Sequence, residues 1–281
     1  MPNWAYTNVT VKGTVKSVRK VISLGLVNSG ISQENIPSDI HEAFDLLLKE
    51  GKHKVALYED APEKKGWEKS VIGVQLGEGV TMRTFVPTPD HYILYDTTNQ
   101  PNSAPEWVLE EQQKLGAIGW YDYNRLTLGT KWDADLEGLD LMVYDDCEDG
   151  EARITFRTET AWSLPDGFFR RLSEIDSELL VICEGTEESN AYFTIVVFQD
   201  GSGWEYDDLT EEFNDAIDKW QEQRNALEAE GKSEEEIDEE LGEWYDSDNF
   251  GFKLDEAYEK AVEELTVETL NKKISEEKSE E

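Results

Sequence analysis

Cysteine and histidine are scarce in this sequence of 281 residues, which contains two cysteines and three histidines. Cys147 and Cys183 form no CxxC motif, so each is expected to be a free thiol rather than part of a disulfide framework or zinc site. The histidines at 41, 53 and 91 lie far apart, on different predicted elements. A His/Cys metal site is therefore not expected, and no cofactor is predicted.

Catalytic motifs and long apolar runs are also missing. The sequence has no Gly-rich phosphate loop before a helix, no GxSxG and no HExxH. Acidic turns at Asp145 and Asp246 resemble the start of a calcium loop, but Phe156 and Ala257 stand at the twelfth positions, where Glu is required. No stretch approaches the roughly 20 apolar residues that span a bilayer, and no basic segment followed by an apolar run opens the chain. We expect a cytoplasmic protein without membrane association, and we predict no enzymatic activity.

Positive charge is the third shortage. There are 26 Lys and Arg against 63 Asp and Glu, a formal net charge of −37. Such a charge keeps a protein soluble and opposes direct binding to nucleic acid or to an anionic membrane. The expected partner is therefore a protein with a basic surface.

The chain is rich in aromatic residues, with nine Trp, eleven Tyr and ten Phe, and it is long enough to bury a substantial core. Apolar patterns predict a strand over 7–12, a helix over 14–26, a helix over 166–175 and strands over 178–183 and 192–198. This order favours an α+β sandwich over a doubly wound parallel sheet. Further predictions are helices over 38–50 and 105–115, strands over 52–57, 71–76, 80–86 and 153–158, and a hairpin loop over 185–190.

The composition changes after residue 205. From there to the end the chain has 29 acidic and 8 basic residues, a net charge of −21. Its apolar residues keep helical spacing, which predicts amphipathic helices over 206–281. Examples are Phe213, Ile217 and Trp220, followed by Ile237, Leu241 and Trp244. Ser233 and Glu236 have the spacing of a capping box at a helix start.

Four stretches of the sequence occur in a fixed order: MPNWAYTNVTVKG at the start, FVPTP at 85–89, GWYDYNRLTLGTKWD at 119–133 and FRTETAWSLP at 156–165. Together they resemble the YubB-type ferredoxin-like domain family of phage and plasmid proteins, over about residues 1–205. The resemblance implies a ferredoxin-like α+β fold and a mobile-element origin, but no reaction. Residues 30–80 and 206–281 have no counterpart, so we interpret them as an insertion and an acidic helical appendage. The chain departs from the family at Leu164, where Pro is usual, and at 127–128, where an aromatic ring is usual.

The block 119–133 and the TAWS segment have two interpretations. In one, Trp120, Tyr121, Lys131 and Trp132 form a surface that binds a partner. In the other, which we favour, the tryptophans fill the core, a glycine permits a turn and an aspartate bonds backbone amides. The residues that would form this structural signature are Trp4, Asn124, Gly129, Asp133 and Trp162.

Three functions remain open from the sequence. The first is a phage-encoded stoichiometric inhibitor of a host antiviral defence complex, which would bind a basic or nucleic-acid-binding protein surface. DNA mimicry is one form of it, because 37 charges match roughly 60 Å of duplex, while a chain of this length has a diameter of about 50 Å. The candidate acidic residues are Glu211, Glu212, Asp215, Asp218, Glu234, Glu235, Asp238, Glu239 and Glu243.

The alternative functions use other chemistry. One is a metal-dependent nuclease or nucleotide hydrolase that employs carboxylates, and the other is a phage accessory protein that binds a small ligand. The acidic surface could also serve solubility alone, without mimicry. Because ferredoxin-like sheets associate through edges or faces, a homo-oligomer is a further prediction.

Overall fold

The computed structural model describes residues 3–52, 79–95, 104–188, 193–206 and 210–241, which form six strands and nine α-helices. The strands are β1 (Trp4–Thr14), β2 (Glu137–Val143), β3 (Glu151–Ala161), β4 (Leu180–Glu187), β5 (Phe193–Gln199) and β6 (Ser202–Tyr206). The helices are α1 (Val15–Asn28), α2 (Ile40–Glu50), α3 (Met82–Phe85), α4 (Asp90–Leu94), α5 (Glu106–Leu115), α6 (Trp120–Thr127), α7 (Asp166–Ser173), α8 (Thr210–Ala229) and α9 (Glu234–Leu241).

The six strands form one sheet in the order β2-β3-β1-β4-β5-β6, and every neighbouring pair is antiparallel. Its first four strands follow the chain order β1-α1-β2-β3-α7-β4, with β1 between β3 and β4. This is the split β-α-β arrangement of ferredoxin-like folds. The predicted α+β sheet-and-helix architecture is confirmed, and β5 and β6 extend the sheet as a meander.

The main core lies between the sheet and helices α1 and α7. Strand β1 alternates along its length, so that Val9 and Val11 point into the core. Helix α1 buries a stripe that includes Ile22, and α7 contributes Phe168 and Leu172. The periodicities of two in the strand and 3.6 in the helices therefore meet at one apolar interface.

The other face of the sheet is covered at one end. Ile182, Ile195 and Val197 have the opposite orientation to Val9 and are nevertheless buried, and helix α8 contacts β5. At β1 the same face carries the half-buried Tyr6, beneath the guanidinium of a β3 arginine. The acidic helix α8 is therefore in contact with the sheet.

The connection from α1 to β2, residues 29–136, contains helices α2 to α6. Helix α2 begins as predicted, with the Asp39 side chain accepting a hydrogen bond from the backbone N–H of Glu42 at 2.9 Å, and it ends at Gly51. Helix α5 ends at Gly116, whose φ of 77° is the left-handed conformation that terminates many helices. The predicted insertion over 30–80 lies within this connection, and its residues 53–78 are outside the described part of the chain.

The predicted strand over 80–86 is wrong. Thr81 makes a single bridge to Asp135, and the chain then turns into the short helix α3. The turn closes because the backbone N–H of Thr81 donates to the Thr84 hydroxyl at 3.1 Å, while Met82 and Phe85 are buried. The apolar residues in 80–86 that suggested a strand therefore belong to a short helical turn that contacts the core. The strands predicted over 52–57 and 71–76 lie outside the described residues.

Other boundaries differ from the predictions. Strand β4 continues through Glu187, so the first half of the predicted loop over 185–190 is strand. Elements β2, β6, α4 and α6 were not predicted. The capping box is confirmed, since the N–H of Ser233 donates to a Glu236 carboxylate oxygen at 2.9 Å and the N–H of Glu236 donates to the Ser233 hydroxyl at 3.4 Å. The helices predicted beyond residue 241 are outside the described residues.

The contact between α1 and α3 supplies a test of this packing. A Cβ atom on Gly25 would lie 2.9 Å from a Phe85 ring carbon and 3.0 Å from a Leu47 methyl carbon. We expect Gly25→Ala to lower the free energy of unfolding by about 1–3 kcal/mol, although alanine is the better helix former by about 1 kcal/mol. Chemical denaturation measures the effect. The double variant Gly25→Ala/Phe85→Leu should recover part of the loss, and no loss in the single variant would contradict the close approach.

Candidate functional site

Three distant segments of the chain meet at one end of the sheet. Trp4 begins β1 and pairs in register with Ala161, the last residue of β3, so that Trp162 emerges beside it. The loop after α6 brings Lys131 and Trp132 to the same place. We call Trp4, Lys131, Trp132 and Trp162 the tryptophan cluster.

Two rings of the tryptophan cluster lie next to the ammonium group of a lysine. The ring centroids of Trp4 and Trp132 are 6.5 Å apart at an interplanar angle of 37°. The ammonium nitrogen of Lys131 lies 4.5 Å from the Trp132 ring centroid and 5.8 Å from that of Trp162. Both distances are within the range in which a cation is attracted to an aromatic face. The cluster is therefore connected through the cation as well as through ring contact.

The tryptophans of the cluster are exposed, which corrects the expectation that they fill the core. The exposed fractions are 37% for Trp4, 42% for Trp132 and 55% for Trp162. The core consists of aliphatic residues and phenylalanines instead. Trp162 shares with Trp132 the contact to the Lys131 ammonium group. Exposed tryptophan grouped in this way is typical of a binding surface, because tryptophan is enriched among the residues that dominate interface energies.

Buried polar groups position the loop that carries Lys131 and Trp132. The Asn124 side chain is fully buried; its amide nitrogen donates to the Lys131 carbonyl at 3.2 Å, and its amide oxygen accepts from the Thr88 hydroxyl at 2.8 Å. A buried amide with partners on both sides fixes the backbone geometry around it. Asn124, which sequence reasoning had placed in the structural signature, therefore supports the surface from beneath.

Gly129 allows the same loop to pass close to α7. Its φ is 78°, and a Cβ atom there would lie 2.5 Å from a carboxylate oxygen of Asp166 and 3.1 Å from its backbone nitrogen. The N–H of Phe168 donates to the Leu128 carbonyl at 3.2 Å beside it. The predicted turn at Gly129 is confirmed, and its cause is both the left-handed backbone and the close approach.

Asp133 anchors the other side of the loop. One of its carboxylate oxygens accepts a hydrogen bond from the backbone N–H of Arg83 at 3.1 Å, so the predicted bond to a backbone amide is confirmed. Burial raises the pKa of Asp133 above its usual value, although the Arg83 charge and the hydrogen bonds to the carboxylate act in the opposite direction. Arg83 could not be predicted as the partner, because it lies 50 residues earlier in the chain.

Trp4 and Trp162 are held through their backbones. The N–H of Trp4 donates to a Glu188 carboxylate oxygen at 3.1 Å, and the Trp4 carbonyl accepts from the Glu188 N–H at 2.8 Å. The N–H of Trp162 donates to the Asn3 carbonyl at 2.9 Å. Glu188 was missed by the sequence reading, and no local signal could have found it, since it lies 184 residues from Trp4.

Trp162 has a backbone conformation that is unfavourable for its residue type. Its φ is 78°, a region in which non-glycine residues are uncommon and bulky ones are outliers. The cost is of order 1–2 kcal/mol, and the side chain gains little by burial because it is mostly exposed. Strained residues of this kind cluster at binding sites, which supports a functional interpretation of the tryptophan cluster.

The other two predicted aromatic residues form a separate pair on α6. The Trp120 and Tyr121 ring centroids are 6.1 Å apart in an edge-to-face arrangement, and the Arg125 guanidinium carbon lies 5.8 Å from the Tyr121 ring centroid. Within the described residues, no ring contact joins this pair to Trp132. The structure therefore divides the predicted aromatic surface into two groups.

The predicted acidic residues are spread along the two C-terminal helices. Asp215 and Asp218 are exposed on α8, and Glu234 and Glu235 are exposed in the first turn of α9. Arg224 on α8 pairs with Glu234 at 3.2 Å and so links the helices. Glu211 and Glu212 lie in α8 and Asp238 and Glu239 in α9, whereas Glu243 is outside the described residues.

Possible metal ligands and the two cysteines can be examined in the described part of the chain. In those ranges no three His, Cys, Asp or Glu side chains are placed to hold a metal ion. Cys147 and Cys183 are both free, as predicted; Cys183 is buried, and burial raises the pKa of its thiol well above the usual value. No described helix combines the length and apolarity required to cross a bilayer.

The raised pKa of Asp133 predicts a pH dependence of stability. The folded protein binds this proton more tightly than the unfolded chain, whose value is 3.8, so the contribution of Asp133 to the free energy of unfolding falls as pH rises from 3.8 through the folded pKa. Asp133→Asn keeps an oxygen acceptor for Arg83 and should gain stability relative to the wild type over that interval. Denaturation series at several pH values measure the difference. Asp135→Asn is the control for loss of one nearby charge, and a difference that falls with rising pH would contradict the assignment.

The strained backbone at Trp162 predicts an unusual order of stabilities. Both Trp162→Gly and Trp162→Ala remove the ring. The glycine variant also relieves the strain of the left-handed backbone, whereas the alanine variant retains that strain. We expect the glycine variant to be the more stable of the two by about 0.5–1 kcal/mol, and neither to lose the 3–5 kcal/mol typical of a buried tryptophan. Thermal and urea unfolding measure both variants. An alanine variant at least as stable as the glycine variant would exclude strain at this position.

Comparisons with known proteins leave the family open. No protein-family model matches the chain, and a search of curated proteins found no match. A crystal structure of the protein api92 from Yersinia pseudotuberculosis, assigned to the family model DUF1281, aligns with 74% of this chain and 99% of its own at 12% sequence identity. The TM-score is 0.28, which is too low to carry an argument about fold or function.

Proposed function

We propose that this chain is a binding protein that inhibits its partner stoichiometrically, and that the partner is a host defence complex with a basic surface. The observation that carries the proposal is the exposed tryptophan cluster, which buried polar groups hold in a fixed position. A preorganised aromatic surface of this kind limits the entropy lost on binding.

The charge of the partner follows from the charge of this chain. With a net charge of −37, the protein repels anionic partners and attracts basic ones over long range. Asp215, Asp218 and Glu222 are exposed on α8 at spacings of three and four residues, so they share one side of the helix. The helical rise separates successive members of this ridge by about 4.5 and 6 Å along the axis.

The ridge supports DNA mimicry as the finer form of the proposal. Along a nucleic-acid strand, successive phosphates are about 3.4 Å apart along the axis. The carboxylates of the ridge are therefore somewhat more widely spaced than phosphates, but their spacing is of the same order. A basic surface built for nucleic acid would still be attracted to such a helix. Charge complementarity of this type mainly accelerates association and selects the partner, while tightly packed aromatic contacts determine dissociation.

The setting in a host defence system rests on the resemblance of the four sequence stretches to phage and plasmid proteins, and it stays a proposal. The hydrolase alternative has no supporting cluster in the described ranges, and no observation favours the small-ligand alternative. Homo-oligomer formation also stays a prediction.

The proposal is tested by capture from a bacterial host lysate, followed by binding measurements on the purified retained complex. Trp132→Ala should weaken binding by about thirtyfold, the effect of a 2 kcal/mol interface residue. Trp107→Ala is the matched control, because Trp107 is 55% exposed on α5, a helix outside the cluster. We expect the control to bind like the wild type, with a saturating stoichiometry of fixed integer ratio.

The electrostatic part has its own readout. Affinity should fall as salt is raised, and the triple variant Asp215→Asn/Asp218→Asn/Glu222→Gln should show a shallower dependence on salt than the wild type. Binding that does not depend on salt would contradict a basic partner. Equal binding by Trp132→Ala and the wild type would contradict a role of the tryptophan cluster in binding.

A further inference from the structure

Lys131 lies against two aromatic rings in a chain dominated by carboxylates. Although the sequence contains 63 acidic residues, Lys131 has no carboxylate partner among the described residues, and its ammonium group instead lies over the rings of Trp132 and Trp162. Within the described ranges, the attraction of a ring face for a cation is the only electrostatic contact that holds this side chain there. The tryptophan cluster is therefore a cation-binding site whose present occupant belongs to the same chain.

The Lys131 side chain can leave the rings without moving its backbone. Its carbonyl is held by Asn124, and Asp133 two residues later is held by the backbone of Arg83. The four-carbon stem is flexible, and a cation over an exposed ring is bound only weakly. The ring faces that it covers are on the surface, so a second cation can replace it.

We infer that Trp132 and Trp162, with Trp4 packed beside Trp132, form a clamp for an arginine side chain of the partner, and that Lys131 is the resident cation that this guanidinium group displaces. The inference rests on the proposed function for the basic character of the partner. A guanidinium group suits the clamp better than an ammonium group because it is planar, weakly hydrated and able to stack on aromatic rings. Arginine is also enriched at protein interfaces, whereas lysine is depleted.

An anionic ligand would use the tryptophan cluster in the opposite way, by binding to Lys131 instead of displacing it. A nucleotide could stack its base on a tryptophan and place its phosphate on Lys131. The surroundings oppose it, because the Glu188 carboxylate is hydrogen bonded to the Trp4 N–H at the edge of the cluster and the whole chain carries a net charge of −37. Lys131 therefore has opposite roles in the two cases: it competes with a cation and attracts an anion.

The first experiment titrates the full chain with N-acetyl-arginine methylamide and follows the indole N–H resonances by NMR. The three cluster tryptophans are assigned by single Trp→Phe variants. We expect the resonances of Trp132 and Trp162 to shift in a saturable manner. N-acetyl-citrulline methylamide has nearly the same shape without the charge and should not shift them. Equal shifts with both probes would overturn the clamp.

The second experiment uses the sign of the Lys131 effect. Lys131→Ala should bind the arginine probe about two- to fivefold more tightly than the wild type, because the competitor is gone. Lys131→Arg should bind it more weakly, because a guanidinium competes better than an ammonium. Lys49→Ala removes the same charge from the exposed side of α2 and should leave the affinity unchanged. The reverse order, with Lys131→Ala the weakest, would overturn the inference.

The same variants separate the inference from the proposed function. If the wild type binds a mononucleotide and Lys131→Ala does not, the clamp is an anion site and the inference fails. If no arginine probe binds while capture of the partner still depends on Trp132, the clamp fails and the proposed function stands. If capture is also insensitive to Trp132, both fail. Saturable arginine binding with the predicted order of Lys131 variants supports the clamp.

Discussion

The position of β1 between β3 and β4 is the constraint on which the candidate site depends. Its antiparallel register with β3 places Trp4 opposite Ala161, and its pairing with β4 ends at Glu187, beside the glutamate that bonds the Trp4 backbone. A shift of one residue would turn the core side chains of β1 to the other face of the sheet. Burial of Val9 and Val11 therefore fixes the register. The register in turn brings Trp4, at the start of β1, next to Trp162, which follows β3.

Elements with strong local signals could be predicted, and elements defined by tertiary contacts could not. Helix α1 has a clear apolar stripe and a threonine N-cap, and α2 has an aspartate N-cap and a terminal glycine. Strand β2 also had a usable signal, since Leu139, Leu141 and Val143 alternate with more exposed residues. In contrast, α6 contains no repeated apolar stripe, and its helix is completed by the buried Asn124 and its partners.

The exposure of the tryptophans is the part of the site that composition could not supply. Hydrophobicity alone places large rings inside, but whether a ring is covered depends on which other element reaches it. Here the core is filled by residues such as Phe168, Phe169 and Phe198, whose rings pack together near the sheet. The three cluster tryptophans lie beyond the end of that core. Gly129 and Asp133, by contrast, have roles that followed from their residue types.

The arrangement of Lys131 shows how a surface can be fixed and yet remain available. The two hydrogen bonds that hold its loop involve the Lys131 carbonyl and the Asp133 carboxylate, and neither uses the ammonium group. Elsewhere on the sheet, the guanidinium groups of Arg153 and Arg157 also lie over tyrosine rings, but each is paired with a glutamate. An ion pair adds a second contact that must be broken before the cation can move. Lys131 has only the rings among the described contacts, so its displacement disturbs less of the structure than displacement of either arginine.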